Sequence, residues 1–430
     1  KDTTLTGKLT TYFKFHSPAA LGLGMAGLLT PLMALYASKG IVVLFAIAAL
    51  PALYTLVIKK KIQPSMPGLL VWSVLAMAIW AAASLGWSVS FDISWPLVRS
   101  LPFTLLGGVV IVTSLKLLDS EDRGFVGRLT VAGFIFGAIM ALIDTATGHK
   151  IYYAIDVYKY GGGWNGNIAK FVINNGITVL TMFLWPAFLF LISQNRRDLA
   201  LVGLIAVIII AGNGSNFAAI VALGVGLAGV ALAYYFPRYI HWVIGTGLTL
   251  LILGAPFVMK ALPDARTIGK DLPELSYSVY PRLVIWQYAA DKILDRPLTG
   301  HGIRTSRALN EETEPIWFVY RDNGKIEKGN TKAIPLHPHN GVIQMWLELG
   351  GIGALIGLGV VLSVLGGIKN YLSAPLPKAL MYGAFLSSMC LVSVSYGLWQ
   401  NWWMGALWIQ GALILASAAP REDSDPDVIN

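Results

Sequence analysis

The chain has 430 residues, of which 55% are hydrophobic and only 13% charged, against about 25% charged in soluble globular domains. This composition excludes a water-soluble enzyme or binding module and leaves a polytopic membrane protein. The net charge of +9 comes with no charge run or nucleic-acid motif, so nucleic acid is not an expected partner; the basic residues are expected to anchor the chain at a membrane and to meet anionic ligands.

In chain order, the first apolar run begins near Pro18 and is long enough to stay in a bilayer, so no cleavable signal peptide is expected. Spanning the hydrocarbon takes about 20 apolar residues. Twelve such runs fall near 18–37, 41–58, 68–86, 97–115, 129–147, 173–193, 199–213, 217–236, 240–260, 341–368, 378–398 and 402–419. The stretch Gly212-Asn213-Gly214-Ser215-Asn216 reads as a tight hairpin or a broken helix. Trp and Tyr suit the many interface crossings. The single cysteine, Cys390, lies in an apolar run, so neither a disulfide framework nor a Cys-based metal cluster is expected.

An even number of spans puts both termini on one side, and positive charge selects the side. Lys59-Lys60-Lys61, Lys116, Arg123, Arg128, Arg196-Arg197, Lys369 and Lys378 then fall in cytoplasmic connections. The expected layout is spans one to nine over 1–260, an outward-facing cap over 261–338, spans ten to twelve over 339–420 and a disordered cytoplasmic tail over 421–430. The cap segment is too long for a connector and is expected to be mainly helical. Within it the spacing of Leu283, Trp286, Gln287, Ala290 and Ile293 or Leu294 predicts a helix over Pro281–Leu294, with Pro281 in the first turn and Pro297, Gly300 and Gly302 ending it. Arg282 therefore sits in its first turn.

The stretch Leu336-His337-Pro338-His339-Asn340-Gly341 closes the cap and opens the tenth span. With an ordinary pKa near 6.5, His339 is a plausible proton acceptor at neutral pH; the bland reading is that it only caps the helix. His337 competes with it, although its place before Pro338 favours an extended loop role. Asn340, Gln344 and Glu348 recur every four residues and share a face. A membrane-embedded glutamate is costly, and for Glu348 the preferred reading is hydrogen bonding to a neighbouring element. Arg99, at the outer end of the fourth span, needs a partner, a ligand or a route to the headgroups by snorkelling. Lys170 follows Gly161-Gly162-Gly163-Trp164-Asn165-Gly166-Asn167, a turn that would let backbone approach a phosphate or simply bend. His337, His339 and His301 invite a zinc reading, but no Cys or carboxylate stands at ligand spacing, so no metal or other cofactor is expected. Gly350, Gly351, Gly353, Gly357 and Gly359 read as small residues that let a neighbouring helix pack closely.

His339-Asn340, nine residues, Gly350, two residues, Gly353 resembles the signature of the O-antigen ligase and polymerase superfamily. So do Arg282, which stands four places before Trp286 where the family pattern has Leu, and Pro297-Leu298-Thr299-Gly300-His301-Gly302. The layout of twelve spans and one large outer cap resembles the ligase branch. The resemblance implies a GT-C-like membrane glycosyltransferase in a Gram-negative inner membrane, with its active site facing the periplasm and its termini cytoplasmic. It implies transfer of a polysaccharide from undecaprenyl pyrophosphate to a sugar hydroxyl of lipid A-core. His339 would be the base and Arg282 would stabilise the pyrophosphate, in an inverting displacement; Arg99, Lys170, Asn340, His337 and His301 are candidate substrate contacts. The alternative on the same donor is an O-antigen polymerase. A transporter or lipid flippase is disfavoured, since no internal repeat is visible.

Overall fold

A computed structural model describes residues 16–61, 67–160, 166–213, 216–272, 275, 277–310, 314–371 and 374–418, the side chains of 156, 159–160 and 166–172 excepted. The expected tail over 421–430, the Gly161–Asn165 turn and the Lys170 side chain lie outside the described residues.

Each of the twelve apolar runs is helical. In chain order the helices are α1 (Pro18–Ala37), α2 (Ile41–Ile58), α3 (Gly68–Ala83), α4 (Phe91–Ser114), α5 (Ser120–Ala146), α6 (Lys150–Tyr160), α7 (Gly166–Ser193), α8 (Arg197–Asn213), α9 (Phe217–Tyr235), α10 (Ile240–Ala261), α11 (Val279–Asp295), α12 (Gly341–Asn370), α13 (Pro375–Val394) and α14 (Asn401–Ala418). Among the described residues, nine helical segments are long and apolar enough to cross a membrane, the α1–α2 pair counted as one. The protein is a polytopic membrane protein.

Sequence chemistry sets the helix ends. Ser17 and Asp119 accept backbone N–H bonds at the starts of α1 and α5, at 3.2 and 2.8 Å, and Pro18 and Pro375 occupy first-turn positions where no N–H is needed. Asn216 caps α9 through Ala219 N–H at 3.1 Å, and α8 ends at Asn213. With lipid outside, helices associate through close packing rather than through a hydrophobic drive. Thus α5 crosses α1 where Gly133 faces the Gly27 and Leu28 carbonyls, and α9 crosses α13 at Gly226 and Gly383. The most buried apolar side chains, among them Phe183, Trp185 and Trp403, lie on α7 and α14 at the centre of the bundle.

At one end of the bundle sits the cap. It contains α11 and an antiparallel hairpin, β1 (Ile316–Asp322) and β2 (Lys325–Thr331), with Tyr280, Val284, Ala265 and Phe318 forming its small core. The cap was expected to be mainly helical, and the hairpin is the addition. Its two-residue turn, Asn323-Gly324, has φ of 48° and 74°, the left-handed pair that suits the twist of a tight hairpin.

The tenth apolar run is not one continuous helix. Gly350 has φ 66° and ψ −168°, breaking α12 between its second and third turns. The groups freed by the break pair with the cap loop that follows α11: His301 N–H donates to Leu347 O (3.0 Å), Gly302 N–H to Glu348 O (2.8 Å) and Gly351 N–H to Pro297 O (2.8 Å). A Cβ on Gly350 would lie 2.2 Å from Leu298 O. This corrects the helix-packing reading of Gly350: it supplies a conformation that other residues resist, and the neighbour it admits is a loop. Gly359, whose Cβ would approach Ser73 Oγ of α3 at 2.7 Å, fits the original reading.

Candidate functional site

The site is assembled where the cap, the start of α12 and the α13–α14 connection meet. Asn340 caps α12, its Oδ1 accepting from Val342 and Ile343 N–H at 3.0 Å each. The cap function therefore falls to Asn340, and His339 is free of it. His339 itself sits at φ 54°, a region that non-glycine residues enter seldom and that concentrates at functional sites.

The surroundings of the His339 ring decide its chemistry. Its Nδ1 lies 3.1 Å from Ser395 O. A carbonyl can only accept, so Nδ1 carries the proton and Nε2 is left with a free lone pair. Burial holds the His339 pKa below its ordinary value, and the Arg282 guanidinium nearby pushes the same way, against the Ser395 hydrogen bond. The imidazole is therefore neutral at pH 7, the form a base requires.

His337 is placed differently. Its Nδ1 accepts the His339 backbone N–H at 3.1 Å, and its ring lies 4.3 Å from that of His339, centre to centre. Burial, with His339 beside it, pushes its pKa down to about 3. It is a neutral acceptor with one nitrogen already committed.

Arg282 lies in the first turns of α11, partly buried. Its one side-chain hydrogen bond is a long contact to Ser278 Oγ at 3.5 Å, and among the described residues no carboxylate pairs with it. Burial lowers its pKa, with Tyr396 acting in the opposite direction; a guanidinium stays cationic regardless. A partly buried arginine without a counter-ion among the described residues, beside a neutral histidine, favours a bound anion.

The structure does not bring Arg99 or His301 into this group. Arg99 is exposed on the stripe of α4 that carries Trp95 and Phe103, while Leu97 and Leu101 on the other side pack with Leu349 and Trp399. His301 is buried in the cap, its Nε2–H donating to Lys292 O at 2.8 Å. The backbone of Lys170 lies in the first turns of α7. Glu348 is fully buried. It accepts from Gln344 Nε2 (3.0 Å), Trp399 Nε1 (2.7 Å), the Arg304 and Ser306 N–H groups and the Ser306 hydroxyl. It thus joins α12 to the cap and to the α13–α14 connection, a wider role than pairing one neighbour.

Residues 182–358 match the family described as O-antigen ligase. The chain is also similar to proteins named "putative polysaccharide ligase". The one from Rickettsia conorii is 28% identical over 249 residues, 56% of this chain and 57% of the relative. That from Rickettsia felis is 28% identical over 57% and 58%, and that from Rickettsia bellii 26% identical over 66% and 67%. The match with the first of these thus spans 57% of that relative's length.

The matched stretch, 182–358, contains Arg282, the Pro297–Gly302 loop, His339 and the break at Gly350. Ser395 and Tyr396 lie beyond it, and sequence reading missed them. Tyr396 donates its hydroxyl to Asn174 O and Thr178 Oγ1, each at 3.2 Å, beside Arg282. Ser395 contributes a backbone carbonyl, which no side-chain pattern reveals. Trp286, the departure from the family's Leu, donates its indole N–H to Pro338 O at 2.7 Å. Ser395 Oγ, Asn174 Oδ1 and Asn401 Oδ1 are buried without a hydrogen-bond partner among the described residues.

Below this group a cavity of about 910 Å³ runs beside α12, from Gly341 and Val342 at the cap end to Ile368 and Asn370 at the other, walled by apolar residues such as Val74 and Phe385.

Proposed function

We propose that the protein is a glycosyltransferase of the O-antigen ligase type, moving a glycan from undecaprenyl pyrophosphate to a sugar hydroxyl of lipid A-core at the periplasmic face of a bacterial inner membrane. The observation that carries this reading is the pairing of a neutral histidine, its free nitrogen set by Ser395 O, with an arginine that no carboxylate pairs among the described residues. In the proposed step the acceptor hydroxyl loses its proton to His339 Nε2 as its oxygen attacks the anomeric carbon. The bond from that carbon to the pyrophosphate oxygen breaks, the configuration inverts, and Arg282 receives the charge that develops on the leaving group. Buried acceptors such as Asn174 Oδ1 and Ser395 Oγ would bond sugar hydroxyls. The apolar cavity beside α12 is suited to an isoprenoid chain, placing its headgroup near Gly341. Twelve spans, a GT-C-like arrangement and cytoplasmic termini complete the proposal.

The test is ligation by the purified protein in nanodiscs, with lipid-linked glycan and lipid A-core supplied. His339→Gln is expected to cut the rate by at least about 100-fold, the lower range for loss of a general base. Near-normal turnover of a folded variant would remove the base assignment. Product formed only with a second lipid-linked glycan as acceptor would make the protein a polymerase.

A further inference from the structure

The peptide plane between Pro338 and His339 is held at both ends by side chains. Its carbonyl oxygen accepts the Trp286 indole N–H at 2.7 Å, and its N–H donates to His337 Nδ1 at 3.1 Å. Rotation of this plane is what sets φ of His339, which stands at 54°. Neither bond involves the His339 imidazole. Trp286 also lies one helical turn after Arg282 on α11, so the two side chains share a face. The helix that carries the arginine is thereby bonded to the loop that carries the histidine.

We infer that Trp286 is a positioning residue: by clamping the Pro338–His339 peptide it holds His339 in its left-handed conformation and fixes the spacing between His339 and Arg282 before any substrate binds. The inference rests on the proposed roles of those two residues. Trp286 bonds the Pro338 carbonyl and neither the His339 imidazole nor the Arg282 guanidinium, so the effect of this bond passes through the backbone. Without the clamp the plane is free to rotate, the left-handed conformation loses an external restraint, and the imidazole leaves its bond to Ser395 O and its place beside Arg282. A displacement of about 1 Å in a catalytic group costs on the order of 100-fold in rate.

The experiment compares wild type with Trp286→Phe, which keeps an aromatic ring but removes the N–H, and Trp286→Gln, which returns an N–H at similar reach. The first readout needs no substrate: the pH titration of the ¹³C-histidine signal that disappears in His339→Gln. Among the described residues, the titratable and charged groups that act on His339 are Arg282 from α11 and His337 from its own loop, and Tyr396 from the α13–α14 connection faces Arg282. In Trp286→Phe the His339 midpoint should rise toward the ordinary 6.5 as the ring leaves burial and Arg282, and Trp286→Gln should restore most of the shift. In the ligation assay Trp286→Phe should lower kcat at least about tenfold with KM for donor within about twofold, the pattern of lost orientation rather than lost binding. An unchanged titration with unchanged kcat would overturn the inference. So would a kcat loss matched by the fall in folded protein, with the titration unmoved. If His339→Gln turns over normally, the base reading fails, while the titration of Trp286→Phe still tests the clamp.

Discussion

At the scale of single residues, the site depends on one hydrogen bond of a backbone carbonyl. Ser395 O sets the His339 tautomer without a carboxylate, so no negative charge raises the affinity of the ring for a proton. Because burial and Arg282 hold the His339 pKa below its ordinary value, the neutral base form predominates at pH 7 and is lost as pH falls through that lowered pKa. The acid limb of kcat/KM is therefore expected below about pH 6.5; a limb centred at or above pH 7 would contradict it. Arg282→Lys should weaken binding of undecaprenyl pyrophosphate by about tenfold, since an ammonium does not reproduce the fork that bonds two phosphate oxygens. Binding of that lipid alone in nanodiscs checks this, and equal affinities would sink it. His339 and Arg282 were legible because their neighbours follow a spacing. Ser395 was not, since a carbonyl 56 residues away has no sequence signature. The same limit hid the role of Trp286, whose bond reaches across 52 residues.

At the scale of elements, the apolar helices were legible because a membrane demands long apolar runs, and capping residues fixed several of their ends. The cap was less so. Its hairpin carried one local signal, Asn323-Gly324 between Ile316–Asp322 and Lys325–Thr331, which a segment weighed mainly for helical spacing concealed. The break in α12 was masked by the opposite effect, a glycine-rich apolar run that satisfies the pattern of an unbroken span. Two predictions belong here. Gly350→Ala should abolish folded protein or displace the cap loop, because its Cβ meets the Leu298 carbonyl in a left-handed conformation; normal thermal stability in detergent would refute this. Glu348→Ala leaves the Trp399, Gln344 and Ser306 donors buried without their acceptor. That should cost on the order of 3 kcal/mol or more, with Glu348→Gln less severe. A thermal midpoint higher for Ala than for Gln would reverse the reading.

At the scale of the whole molecule, the cavity beside α12 reaches from Gly341 and Leu398 to Ile368 and Asn370 and is walled mostly by apolar side chains, with Lys116 and Arg123 among its lining. Val361 stands on its wall. Val361→Trp should fill part of the space and weaken capture of undecaprenyl pyrophosphate by about tenfold while leaving the His339 titration unchanged; unaltered capture would separate the cavity from the lipid. A different consequence follows from the break at Gly350. The outer turns of α12 hand their carbonyls at Leu347 and Glu348 to His301 and Gly302, and the inner part begins by taking Pro297 O. The outer turns are thus tied to the cap as firmly as to the helix they nominally continue. In amide hydrogen exchange, 297–302 and 341–349 should open together as one cooperative unit while 353–368 stays protected. The boundary between the moving and the standing parts of this protein would then lie inside an apolar span rather than at its surface.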